Sequence, residues 1–311
     1  MPNYSGVWSL AQQMQAVAAY NWTGITIGAF GIFALGNDSG GTASTTRNKY
    51  TFSGCLNVCA TSSATASSGG AAAGNSTVGI FAIGYNTICR ATRCKYTYSG
   101  CVNSNATSSS VASSNQSAVG NSTIGIFALG GCSATTTRDK YTYSGCVSAS
   151  GTSASCNSKN GSAAGNSSIG IFALGGTPAV SSIRNKYTYS NDVNASATAS
   201  SAASRLGTAT GNSTVGIFAL GLTSAASCIR NKYTYSGDTN AIATSSSLAQ
   251  TWGSASGNKI TGIFALGTTP SASTTRNKYT YSGDVNASAT AASAASYAGA
   301  AASNGTCGVN I

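Results

Sequence analysis

The sequence predicts an all-β fold: a single β-propeller of six repeats, each of about 46 residues, with a short N-terminal helix. Two phrases carry the repeat. The first, Gly-Ile-Phe-Ala-Leu-Gly in its commonest form, begins at Gly31, Gly79, Gly125, Gly170, Gly216 and Gly262. The second, commonly Arg-Asn-Lys-Tyr-Thr-Tyr-Ser, begins at Arg47, Arg93, Arg138, Arg184, Arg230 and Arg276. Three or four short strand signals fall in each period, as in a propeller blade. The register also runs to the end of the chain. Gly308 stands 46 residues after Gly262, so 304–311 opens a seventh copy of the first phrase. A terminal strand that completes the first blade would close a ring and remove its edges, whereas the competing solenoid leaves two open ends.

Residues 1–23 lie outside the repeat and 24–311 form the propeller domain. Ser9 N-caps a helix predicted to run to Tyr20, with Leu10, Met14 and Val17 near one face. That segment either plugs one end of the repeat body or docks it to a larger assembly. In each repeat the first phrase is apolar on both faces, as a strand buried between two layers must be. A variable loop follows, at 37–46, 85–92, 131–137, 176–183, 222–229 and 268–275. In the second phrase, alternation places Arg47, Lys49 and Thr51 on one face and Asn48, Tyr50 and Phe52 on the other. A third strand reads Val-Asn-Ala-Ser-Ala-Thr-Ala-Ser in the fourth and sixth repeats. A fourth, weaker strand precedes the Gly-Asn-Ser-Thr turn seen at Gly74, Gly120 and Gly211, with Gly-Asn-Ser-Ser at Gly165.

Composition narrows the function. Only 7% of residues are charged, against roughly 25% in average domains, and small polar residues fill the difference. Such a composition can mark disorder, but the regular apolar phrases predict an ordered protein with a neutral, hydroxyl-rich surface. The net charge is +11, yet 12 of the 16 basic residues belong to the second phrase, one pair per repeat. Nucleic acid needs positive charge clustered along a groove, so none is expected as a partner. No basic residue precedes Arg47, so no secretory signal is visible, and the apolar stretch Thr23–Gly36 is too short to span a bilayer.

Ten cysteines occur, none in a Cys-x-x-Cys pair. Cys55, Cys101 and Cys146 share one repeat position, which Asp192, Asp238 and Asp284 fill in the last three repeats. Cys89 with Cys94, and Cys146 with Cys156, are candidate hairpin disulfides. An oxidising setting is expected over free buried thiols.

Ile126–Gly131 and Ile171–Gly176 resemble the kelch strand that ends in a double glycine, and Arg-Asn-Lys-Tyr-Thr-Tyr-Ser-Gly-Asp resembles the strand that follows it. The resemblance to kelch propellers spans about residues 24–311. Four copies lack the second glycine, and the usual later Trp is missing. Separately, the opening from Asn3 to Met14 resembles some tail-associated virion proteins of bacteriophages, which implies a place on a virion.

The absent residues exclude more than the present ones suggest. Without His there is no Ser-His-Asp triad and no His-metal cluster, and with no Glu a glycosidase pair must come from five Asp, four of them at repeat positions. No P-loop is present. No enzyme activity, cofactor or metal is therefore expected. The candidate ligand-binding residues are the pairs Arg47 and Lys49, Arg93 and Lys95, Arg138 and Lys140, Arg184 and Lys186, Arg230 and Lys232, and Arg276 and Lys278. Each pair shares a strand face. Either the pairs serve blade packing, the favoured reading, or they form a cationic ring for anionic polysaccharide or phosphate. The expected function is structural or adhesive: a phage-tail or virion-surface component, virion-borne or extracellular. It would contact host-surface glycans and join other virion proteins in a homo- or hetero-oligomer through its N-terminal segment. The alternatives are a glycan-binding lectin outside any virus and a polysaccharide hydrolase working through Asp.

Overall fold

The computed structural model describes residues 30–305 apart from Leu129 and Pro178. Six four-stranded antiparallel sheets form the blades of a closed propeller. The second blade shows the pattern. Its innermost strand, Ala71–Gly74, pairs with Val78–Ala82, then Arg93–Thr97, then the outermost strand Val102–Ala106. The weak strand expected at the end of each repeat is thus the innermost strand of the next blade. The six innermost strands pack side by side around the axis. Apart from Val119 they are built from Ala, Ser, Thr and Gly, because their side chains must share that confined space.

The first phrase is apolar on both faces because each blade is sandwiched between two neighbours. Ile32 packs with Phe81, Tyr96 and Tyr98 of the second blade. Phe33, one residue on and facing the other way, packs with Ile263 of the sixth. The same Ile-to-Phe contact joins Ile80 to Phe127, Ile126 to Phe172, Ile171 to Phe218 and Ile217 to Phe264. The hydrophobic core is therefore six inter-blade seams rather than one central mass.

Turn chemistry sets the strand ends. Asn75 Oδ1 accepts from the N–H of Thr77 and Val78, and its Nδ2 donates to the Ser122 carbonyl of the next blade at 3.0 Å. Asn121, Asn166 and Asn212 repeat the arrangement, so this turn also ties neighbours together. Gly36 closes the first phrase at φ +76°, where a Cβ would stand 2.3 Å from the Tyr297 carbonyl oxygen. Only glycine meets both demands.

The ring closes as a propeller and not as a solenoid, with one correction. The strand completing the first blade is Ala300–Ser303, paired with Gly31–Ala34; it is not the seventh copy of the first phrase. In every blade the place beside that phrase belongs to a small-residue strand, and Ala300 and Ala302 fill it with buried methyl groups. Residues 306–311 lie outside the described residues, as do the helix expected over 9–20 and the docking segment 1–23.

Removing residues 300–311 should leave the Phe30–Ala34 strand with an open edge. The expected outcome is a fall of roughly 10 °C or more in melting temperature, together with concentration-dependent association, read by calorimetry and light scattering.

Candidate functional site

The six repeat arginines are 0–1% exposed and lie between blades. Arg184 Nη1 donates to Asn240 at 2.8 Å and Nη2 to Asn231 at 3.2 Å, both in the next blade. Its guanidinium lies 4.6 Å from the centroid of Phe218. Arg138, Arg230 and Arg276 make the equivalent contacts, and Arg276 crosses from the last blade to Asn57 and Asn48 of the first. Burial lowers the pKa of Arg138, Arg184, Arg230 and Arg276 to about 10, which leaves them cationic at neutral pH.

The amide that receives each Arg is a hub. Asn185 Oδ1 accepts from Arg138, from Asn194 and from the backbone of Ser155, and its Nδ2 donates to Ser155 Oγ. Two blades vary this hub. Asp139 takes the place in the third blade, where Arg93 meets it at 2.9 Å with both side chains fully buried, and Ser110 donates to it twice. Cys94 takes it in the second, and the serine that would bind it is replaced by Ala64. The two losses match: without a side-chain amide at the hub, a serine hydroxyl there would lack its donor.

The repeat lysines share the face of the arginines but lie nearer the rim. Lys140 reaches Asp192 at 3.3 Å and Lys186 reaches Asp238 at 3.4 Å, each pair about one-third exposed. Where cysteine replaces that aspartate the same reach ends on sulfur: Lys95 Nζ to Cys146 Sγ and Lys278 Nζ to Cys55 Sγ are both 3.8 Å. Lys49 instead rests 4.1 Å above the Phe30 ring. Of the candidate pairs, then, the arginines are enclosed in seams and the lysines alone meet solvent. Lys140 also lines a groove of about 470 Å³ between the third and fourth blades.

Every Asp has a structural partner. Asp38 accepts from the N–H of Gly40 and Thr42 within a loop. Asp192, Asp238 and Asp284 each accept from the tyrosine of their own blade and from a threonine of the preceding one. Partial burial acts to raise the Asp192 pKa. Hydrogen bonds from Tyr187, the Thr152 N–H and Lys140 outweigh it and bring the value down to about 2.

The cysteines differ from the expected pairing. Cys89 is bonded to Cys132, with Cα atoms 6.3 Å apart, and so joins the variable loops of the second and third blades. Cys94 is a buried thiol at the hub position, its side chain turned into a seam while Cys89 stands on the loop. Cys146 and Cys156 are thiols on opposite sides of the third blade: one packs on the seam with the second blade, the other on the seam with the fourth.

The feature that sequence reasoning missed is a collar at the channel mouth. Gly69, Asn115, Asn160, Leu206, Trp252 and Ala298 precede the innermost strands by two residues, and all have φ between +54° and +60°. Backbone N–H groups run around the ring: Asn160 to Asn115, Leu206 to Asn160, Trp252 to Leu206, Ala298 to Trp252 and Gly69 to Ala298, all at 2.8–2.9 Å. Gln116 closes the circle on Gly69 at 3.4 Å. The collar surrounds a cavity of about 100 Å³. Two carboxamide oxygens there, Asn160 Oδ1 and Gln116 Oε1, are buried without a protein partner. The variable loops frame the mouth, since Tyr85, Gly176, Leu222 and Thr268 bond to the chain just before the collar. A readable signal did exist: residues of five different types at one fixed offset, five of the six followed by Gly.

Arg184→Met should cost about 2–4 kcal/mol in urea unfolding, because the half-buried Asn240 oxygen loses its donor and the buried Asn231 oxygen keeps only Ser201 and Asn240. Lys186→Met should cost about 1 kcal/mol or less, as exposed ion pairs do. The lowered Asp192 pKa fixes the sign of an acid effect. Its stabilisation is present above pH 3.8 and is lost as pH falls through about 2. Melting curves across that window should show a smaller acid loss for Asp192→Asn than for the parent.

Against known proteins, the sequence matches no protein-family model and shows no significant similarity to a curated protein. A six-bladed propeller with a hydrogen-bonded collar is therefore what the functional reading has to start from.

Proposed function

We propose that this chain is a non-enzymatic adhesion protein with a kelch-like propeller, a virion or phage-tail surface component that contacts host-surface glycans. One observation carries the reading. The six copies share the Arg, Ile, Phe and Tyr that fill the seams, whereas the collar and the loops around it diverge. A rigid scaffold with its variety confined to one face suits recognition. Trp252 supplies an apolar ring, and the Asn160 and Gln116 oxygens supply acceptors for hydroxyl donors. Together these are the parts a neutral sugar needs. The engagement of each Asp in turns, seams or ion pairs weighs against the hydrolase reading. Assembly with other virion proteins, as a homo- or hetero-oligomer, falls to segment 1–23 in this proposal.

The collar favours one further reading, a glycan-binding lectin that belongs to no virus. Both readings place the glycan at the same mouth, and they differ in whether the chain co-assembles with other virion proteins.

A glycan and polysaccharide array probed at low and moderate salt tests the shared part. Saturable binding should survive moderate salt and be lost in Trp252→Ala. Binding that disappears with salt would implicate only the surface lysines. No binding would leave a protein-contacting assembly part.

A further inference from the structure

We propose that Cys146 and Cys55 are oxidative cross-linking sites, each joining the lysine of the preceding blade through an N–O–S bridge, Lys95 to Cys146 and Lys278 to Cys55. Two independent observations carry this. The first is proximity: each sulfur stands 3.8 Å from the lysine nitrogen, in the place where Asp192 and Asp238 meet Lys140 and Lys186. The second is backbone conformation. Cys55, Cys101 and Cys146 sit at φ 50–51°, in the left-handed region that Gly, Asn and Asp tolerate and Cys does not favour. Asp192, Asp238 and Asp284 occupy the same conformation at φ 48–56°. Aspartate serves that turn and, at Asp192 and Asp238, forms the ion pair, so Cys146 and Cys55 facing a lysine in its place point to chemistry that a carboxylate cannot perform.

The surroundings hold the sulfur in place. The Cys146 carbonyl accepts from the Thr107 hydroxyl and the Cys55 carbonyl from the Thr290 hydroxyl, each from the preceding blade. Both thiols are half-buried, within reach of a small oxidant. The lysine stems are flexible enough to shorten the gap.

The oxidant is dioxygen. One N–H bond of the lysine amine and the S–H bond break, the O–O bond is cleaved, and N–O and O–S bonds form. Nitrogen and sulfur each give up two electrons. One oxygen atom stays in the bridge, and the other leaves as water with the two hydrogens. The Lys278–Cys55 bridge would close the seam between the last and first blades covalently. The Lys95–Cys146 bridge would join blades already linked on the opposite face by Cys89–Cys132.

The test uses the full chain, purified anaerobically and compared with protein held in air-equilibrated buffer. Each sample is digested without reductant and its peptides are weighed by mass spectrometry. The expected result is two linked peptides, Lys95 with Cys146 and Lys278 with Cys55, each heavier by one oxygen and lighter by two hydrogens, and each separated by dithiothreitol. Lys49, turned onto Phe30, should give no comparable link to Cys101. Cys146→Asp and Lys95→Arg should each abolish the first link and leave the second, and Cys146→Asp installs the residue that later blades already use. The proposal is overturned if the air-treated thiols are recovered free, as disulfides or as sulfinic acids with both lysines unmodified. It is equally overturned if the first link persists in Cys146→Asp.

Discussion

The buried arginine is the interaction on which the rest of the structure depends. The innermost strands, mostly Ala, Ser, Thr and Gly, add little apolar area, and Ile-to-Phe contacts alone would let neighbouring blades slide or rotate. A guanidinium bonded to two side chains of the next blade and stacked on its Phe fixes distance and angle together. Burying six cations is unfavourable in itself. Four are offset by two oriented amide oxygens and an aromatic face, Arg47 by one amide oxygen and an aromatic face, and Arg93 by a full countercharge. The hub amide then extends that order to the connecting chain through Ser155 and its equivalents. One side chain per repeat therefore coordinates two blades and the segment that crosses between them.

This explains an odd composition. The net charge of +11 looks like a surface property, yet six of the positive charges lie inside the seams, and several others face carboxylates or rings at the rim. The exterior is correspondingly less basic than the sequence total implies. Hydroxyls and amides are abundant among the residues that remain.

The repeat, the strand phrases and the ring were legible in the sequence because each is a short-range pattern written six times. The alternation of Arg47, Lys49 and Thr51 against Asn48, Tyr50 and Phe52 is a period-two signal, and the structure keeps it. The closing strand was harder to assign. Ala300–Ser303 has no apolar signature, and its place is fixed by the vacancy beside Phe30–Ala34 rather than by its own residues. The cysteine pairing was misread for a related reason. Cys89 and Cys94 are neighbours in sequence, but the strand carries Cys94 into a seam while Cys89 stays on the loop beside Cys132. The collar escaped notice because its identity lies in backbone conformation, which its differing residue types conceal.

That collar has an electrical consequence. Peptide dipoles aligned along a helix add, and the helix end attracts charge. Here the dipoles follow one another around a circle, so their components in the plane of the ring cancel. The backbone at the mouth offers no end to which an ion could be drawn. Chemical differences around the mouth therefore come from the side chains that break the six-fold repetition, Trp252 among them.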